Sequence, residues 1–345
     1  MSKRNFNLDI IRSIAVLFVI CIHFLLNTEF YQQVITGKTY FVFIFFRVLF
    51  MSCVPLFMML SGTLLIDKQI NRKYYLGIIR ILITYFICSL VCFVFKTNGF
   101  TLKQFIIELL DYKAAPYAWY VNFYIGFFLI IPFINLIYKG LNTKKEKKLL
   151  ILSLLVVSIL PSLNIYNVFP NYWQRIYPFL YYFLGAYIKE YKNDFSCKKS
   201  LLIFLTSLGL FTVINFYLSR GKVFQFTFFS DYGSISTMLI TTSIFTFIYN
   251  LKLDKTPMFI KKVFYNISKA SFAMYLVSYC FDSYLYKYIM DYNMGIKLLY
   301  FVPITLSVFI GSLIVGFIIE FISEFITRKL TNLSISLKIF KKETI

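Results

Sequence analysis

Ten apolar runs alternate along the chain with short polar or basic connections. They fall at about 7–26, 41–66, 77–95, 117–138, 149–166, 172–188, 200–218, 234–250, 270–289 and 297–320. A hydrocarbon layer about 30 Å thick is crossed by about 20 residues of helix rising about 1.5 Å each, so each run is a candidate span. The connections sort by charge. The N-terminus, segments 67–80, 139–148, 189–199 and 251–269 and the C-terminal tail hold 25 Lys and Arg, whereas segments 27–40, 96–115, 161–171, 219–232 and 290–296 hold 6. The remaining five, Arg12, Arg47, Arg175, Lys287 and Lys297, lie within or at the ends of runs. Basic loops stay on the cytoplasmic side. The pattern therefore predicts an all-α, polytopic integral membrane helical bundle of about ten transmembrane helices, with both the N- and C-termini cytoplasmic. Residues 1–330 form the transmembrane domain in this reading, and 331–345 a basic tail on the inner leaflet.

The first run, Asn7 to Leu26, breaks the apolar pattern. It carries Asp9, Arg12 and His23, the only histidine of the chain. A helix turns about 100° per residue, so Arg12 and His23 lie within about 20° of one face and about 16 Å apart along the axis. Asp9 falls about 40° from His23 on the same side. Lipid does not tolerate such an edge. It has to face a protein interior or a wet cavity, and the three residues become site candidates.

Composition agrees with the pattern. Hydrophobic residues make up 59% of 345 and charged residues only 15%, against about 25% in soluble domains. Little is left for a separate soluble domain. The formal charge of +21 would suggest nucleic acid in a soluble protein; here the basic loops account for it, and no nucleic-acid partner is expected. Five of the six cysteines, Cys21, Cys53, Cys88, Cys92 and Cys280, sit in apolar stretches, and with Cys197 they form neither CxxC nor metal-ligand spacing. Lys3 and Arg4 precede an apolar run as in a signal peptide, but Asp9 and Arg12 interrupt it, which reads as an uncleaved first span. No internal repeat, glycine-rich phosphate loop, HExxH or GxSxG occurs. The connection at about 96–115, with Glu108 and Asp111, has an amphipathic stretch.

Several stretches, in order, resemble the acyltransferase-3 family of ten-span membrane acyltransferases. Leu8-Asp9-Ile10-Ile11-Arg12-Ser13-Ile14-Ala15 followed by His23 fits its Arg-x10-His arrangement. Val54-Pro55-Leu56-Phe57-Met58-Met59-Leu60-Ser61-Gly62-Thr63-Leu64-Leu65 is similar to its VPLFFMxSGxLL segment. Ala118-Trp119-Tyr120-Val121 with Gly126 and Pro132 looks like LWYL…G…P, and Tyr182-Phe183-Leu184-Gly185 like YFxLG. Ile267-Ser268 with Ser271-Phe272-Ala273-Met274-Tyr275-Leu276 is similar to S…SFxIYLxH, and Val302-Pro303 opens the last run. The resemblance covers nearly the whole chain. It departs at Tyr117 and Ser278, where the family often has histidine, and at Gly77-Ile78-Ile79-Arg80, which lacks the first Arg of RxxR.

The resemblance implies transfer of an acyl group, usually acetyl, from cytosolic acyl-CoA to a hydroxyl of a surface or lipid-linked saccharide at a bacterial cytoplasmic membrane, with no metal. His23 would act as base or acyl carrier. Arg12 would supply a fork for an anion or oxyanion, with Asp9 orienting it. Arg80, Arg72 and Lys73 would meet the phosphates of acetyl-CoA; their plain rival is a positive-inside role. Substrate-binding candidates are Arg47, Ser61, Trp119 and Tyr120. Their rivals are snorkelling for Arg47, close helix packing for Ser61-Gly62 and an interfacial aromatic belt for Trp119 and Tyr120. Expected partners are the saccharide acceptor and the bilayer, with a homo-oligomer or a partner envelope enzyme as further options. Two rival functions stand beside this one: a transporter or flippase of an envelope precursor, and a non-catalytic family member.

Overall fold

The computed structural model describes residues 4–97, 99–163, 168–226 and 229–342, with backbone alone at 163 and 331–342. Its architecture is helical. α1 (Phe6–Asn27), α2 (Gly37–Phe50), α3 (Cys53–Leu65), α4 (Arg72–Lys96) and α5 (Leu102–Leu110) form the first part. α6 (Trp119–Gly140), α7 (Lys144–Ile159), α8 (Tyr177–Glu190) and α9 (Cys197–Ser219) follow. α10 (Ile235–Tyr249), α11 (Met258–Leu285), α12 (Met294–Leu299) and α13 (Phe301–Lys342) complete it.

α1 is the axis of the bundle. Its run of Ile, Val, Leu and Phe contains no Pro or Gly, and the Asn5 side chain caps its start by accepting from the Asn7 N–H. It ends where Thr28 turns both its N–H and its hydroxyl back onto the Phe24 carbonyl. α11, α3, α2, α10 and α13 pack around it, and residues on every side of it are buried. Asn7 joins α1 to α10: its amide donates to the carbonyls of Ile248, Tyr249 and Leu251, groups left over at that helix end. Asn135 of α6 does the same for α3, donating to Leu65 and Lys68 and accepting from the Tyr182 hydroxyl.

Proline explains two departures from smooth helices. The expected second run breaks at Met51–Ser52 into α2 and α3. Pro55 has no N–H for the Met51 carbonyl, and its ring crowds that carbonyl. Pro132 lies inside α6 without breaking it. The carbonyl it strands is that of Phe128, which accepts instead from the Tyr74 hydroxyl of α4 at 2.5 Å.

Among the described residues six helical stretches are long and apolar enough to cross a membrane: α1, α2 with α3, α4, α6, α9 and α13 to Leu330. The expected ten runs are thus not all full-length helices. α7, α8 and α10 have 16, 14 and 15 residues, and α11 has 28 residues but carries Lys261, Lys262, Lys269 and Asp282. Pro161 lies in the turn that follows α7, and Pro178 lies in the first turn of α8. The last run is also wider than expected. α13 continues past residue 330 as one helix to Lys342, with no break where the basic tail was expected to begin. Exposed apolar side chains such as Leu202 and Leu205 on α9 and Leu306, Ile310 and Ile314 on α13 face outward, as lipid contact requires. The stretch expected to be amphipathic forms α5, which buries Phe105 and exposes Ile106, Ile107 and Leu110.

α3 and α8 make the closest approach. A Cβ on Gly62 would overlap the Tyr182 backbone, and one on Gly185 would overlap the Met59 backbone. Thr63 adds a hydrogen bond to the Gly185 carbonyl at 3.0 Å. Small residues let two backbones meet where lipid supplies no hydrophobic drive. Gly62→Leu is expected to force the pair apart and cost on the order of 3 kcal/mol. Thermal denaturation in detergent measures this, and an unchanged midpoint would contradict the contact.

Candidate functional site

The edge of α1 that carries ionisable groups faces a cavity of about 960 Å³ rather than lipid. The cavity is lined from Arg4 to Leu26, a span of about 33 Å at the helical rise. One end gathers charged groups from α1, α4, α11 and α13: Arg4, Arg12, Arg80, Lys269, Glu320 and Glu324. The other gathers His23, Tyr31, Arg47, Trp119, Asp231 and Tyr232.

His23 is 5% exposed. Its Nδ1 lies 3.7 Å from Oδ2 of Asp282, too long for a hydrogen bond but close enough for the two groups to feel one another, and leaves Nε2 for the cavity. Tyr117 lies against the imidazole, with ring centroids 3.8 Å apart, and donates its hydroxyl to Asp282 Oδ2 at 2.8 Å. The Asn27 amide donates to that hydroxyl at 3.1 Å, and the Tyr275 hydroxyl donates to the Tyr117 carbonyl. One turn of α1, the start of α6 and α11 are thus tied around one imidazole. Sequence reasoning left Asp282 unassigned because it lies near the end of a run, although an acid in an apolar helix is itself a signal. Tyr117 stands where the family often has histidine, and it touches the remaining one. Ser278, at the other such position, is fully buried and donates to the Tyr275 carbonyl.

Arg12 lines the cavity and makes no hydrogen bond or ion pair among the described residues. Tyr120 and Tyr124 are within electrostatic reach of it. The expected Asp9–Arg12 partnership holds only through space: Asp9 is within electrostatic reach of Arg12, but its hydrogen bonds go elsewhere. Asp9 is held by Arg4, which donates from Nε at 2.9 Å and Nη2 at 2.5 Å. Asp9 sits one turn closer to the helix start, beside the chain end that carries Arg4, and it does not line the cavity. Of the three cations expected at the coenzyme's phosphates, only Arg80 reaches the cavity, where it pairs with Glu320. Arg72 and Lys73 are exposed at the start of α4, next to its Asn71 cap, and lie outside the cavity lining. Glu320 and the Glu324 that follows one turn later, bonded to Lys269 at 2.5 Å, were also left unassigned by the sequence.

The expected substrate residues all line the cavity. Ser61 donates to the Phe57 carbonyl and meets the Tyr124 hydroxyl, while its neighbour Gly62 makes the packing contact. Trp119 is stacked on Tyr232 at 6.0 Å, and Tyr120 on Tyr124 at 5.7 Å. Arg47 is 2% exposed and so does not snorkel to lipid. Among the described residues no three His, Cys, Asp or Glu side chains gather as metal ligands.

A family model described as an acyltransferase domain, that of the acyltransferase-3 family, matches residues 5–321. No curated protein and no solved structure matches the chain.

Tyr117→Phe keeps the ring against His23 but removes the hydroxyl that satisfies Asp282. A buried carboxylate that loses its donor is expected to cost about 1–3 kcal/mol. The thermal midpoint should fall for Tyr117→Phe and fall further for Tyr117→Ala. An unchanged midpoint in Tyr117→Phe would show that the hydroxyl does not hold the carboxylate.

Proposed function

The chain belongs to the acyltransferase-3 family, and we propose that it moves an acyl group, acetyl in the first instance, from cytosolic acyl-CoA to a hydroxyl of an envelope saccharide. The observation that carries the reading is the single cavity lined both by Arg12 and by His23. A membrane acyltransferase has to bring an anionic donor from one side to a hydroxyl near the other. The charged end, with Arg12 unpaired and Arg80 paired only through Glu320, suits the coenzyme's phosphates. The His23 end, with Trp119, Tyr120 and Tyr232, suits a sugar ring. The basic-loop pattern supports ten crossings with both termini cytoplasmic, the shorter helices α7, α8 and α10 among them. That orientation makes the Arg12 end the donor side, and the membrane in this reading is a bacterial cytoplasmic one.

In this mechanism the acceptor hydroxyl gives its proton to His23 Nε2 as its oxygen bonds to the acyl carbon. The carbon–sulfur bond breaks and the coenzyme leaves as thiolate. The imidazolium returns the proton to that thiolate or to water. Asp282 faces Nδ1 and is a positioning residue: it steadies the imidazolium that forms. Arg12 stays with the donor's phosphates, and the Tyr120 hydroxyl, which lines the His23 end, stabilises the charge that develops on the carbonyl oxygen.

The rival reading, passage of an envelope precursor, draws on the same feature, since one cavity touches both ends of α1. One experiment separates them. Membranes carrying the wild type are supplied with labelled acetyl-CoA, alongside His23→Ala. The wild type is expected to label glycan, and His23→Ala to fall by about 100-fold or more, in line with loss of a general base. Equal labelling removes His23 from the chemistry. No labelling of any glycan by either protein favours the transporter.

A further inference from the structure

Among the described residues Arg47 is a buried cation without a counterion. Its side chain is enclosed between α2 and two paired loops. Ile35 donates to the Lys222 carbonyl at 2.8 Å, and Gly221, at φ 76°, donates to the Ile35 carbonyl at 3.0 Å. Left-handed backbone at that position favours glycine and turns the second loop inward. The turn delivers Phe224 and Phe226 to the guanidinium, whose carbon lies 4.2 Å and 5.5 Å from their ring centres, while Tyr31 from the first loop lies at 5.6 Å. Nε donates to the Tyr31 hydroxyl at 3.2 Å and Nη2 to the Ser230 carbonyl at 2.8 Å. Nη1 is buried and has no partner. Among the described residues no carboxylate lies within ion-pair distance of Arg47. Asp231, which lines the same end of the cavity, instead accepts from the Tyr232 N–H.

Aromatic faces and neutral acceptors hold a guanidinium in place, but they do not neutralise it. A buried positive charge that borders a cavity and keeps one donor free is matched by an anion arriving through that cavity. Arg47 borders the cavity rather than the outer, lipid-facing surface, so bilayer phosphate does not serve it. The donor's phosphates have their own cations at the far end, Arg12 and Arg80. We propose that Arg47, in its cage of Tyr31, Phe224 and Phe226, is an anion subsite for the acceptor, so that the acceptor is a saccharide bearing a phosphate or a carboxylate rather than a neutral sugar. This deepens the acyl-transfer reading and rests on it for the identity of the acceptor end.

The test reads binding, not turnover. The chain has two tryptophans, and Trp119 lines the same cavity end, so full-length protein with Trp173→Phe reports on occupancy by fluorescence. The probes are glucose 1-phosphate, glucuronate and glucose. At least one anionic probe is expected to bind tenfold or more tightly than glucose, and which one does separates phosphate from carboxylate. Arg47→Gln is expected to bring that probe down to the affinity of glucose while acetyl-CoA binding stays unchanged. Equal affinity for all three probes in the unmutated site overturns the proposal, and so does an anion preference that survives Arg47→Gln. A parallel loss of acetyl-CoA binding assigns the subsite to the donor and overturns it as well. Should Arg47→Gln not fold, Arg47→Lys, which has no fork to grip two oxygens, takes its place, and an undiminished preference there overturns the proposal. Failure of acyl labelling with the anion preference intact counts against the transfer reading alone; the reverse outcome counts against the subsite alone.

Discussion

Everything in this bundle depends on where α1 puts its polar edge. Three ionisable groups on an apolar helix are costly against hydrocarbon, where nothing hydrogen-bonds or screens them. The fold meets the constraint by surrounding α1 with other helices and opening a cavity along one side of it. Arg12 and His23 then border the cavity instead of lipid, and Asp9 is bound by Arg4. The helices outside α1 carry the lipid-facing apolar surface, which leaves the centre free for chemistry.

Because lipid does not drive helices together, close contact has to come from shape and from polar side chains aimed at stranded backbone groups. Gly62 against Tyr182 and Gly185 against Met59 supply the first. Asn7, Asn135 and Tyr74 supply the second, each bonding a carbonyl that a helix end or a proline leaves without a donor. The same devices that hold the bundle also build the site. Tyr275, for example, bonds the Tyr117 backbone and so fixes the ring that lies on His23.

The arrangement separates two kinds of charge. At the α4–α13 end, cations and carboxylates neutralise one another in pairs, as with Arg80 and Glu320 or Lys269 and Glu324, so an incoming anion competes with protein partners. Near His23, among the described residues, Arg47 has no carboxylate within ion-pair distance, while Asp282 accepts from a neutral hydroxyl and faces an imidazole. In the proposed function a substrate completes that charge, and low-dielectric walls strengthen the interaction.

By itself the sequence determined the helical class, the membrane character and the helix whose polar edge borders the cavity. Those are properties of local pattern: the length of apolar runs, a 3.6-residue period and the rarity of ions in spans. The Arg12–His23 spacing was enough to place both on one edge, because the geometry of a single helix is regular. What pairs with what was decided by tertiary structure alone. Asp9 bonded Arg4 instead of Arg12, Arg72 and Lys73 fell outside the cavity, and Asp282 arrived at His23 from a helix 259 positions later in the chain. Arg47 read equally as a lipid anchor or a ligand group until two distant loops were seen to close aromatic rings around it. Where proline cut a run, or where helices rotated to bring Gly62 against Tyr182, the deciding energies lay between segments, and no pattern along one segment carries them.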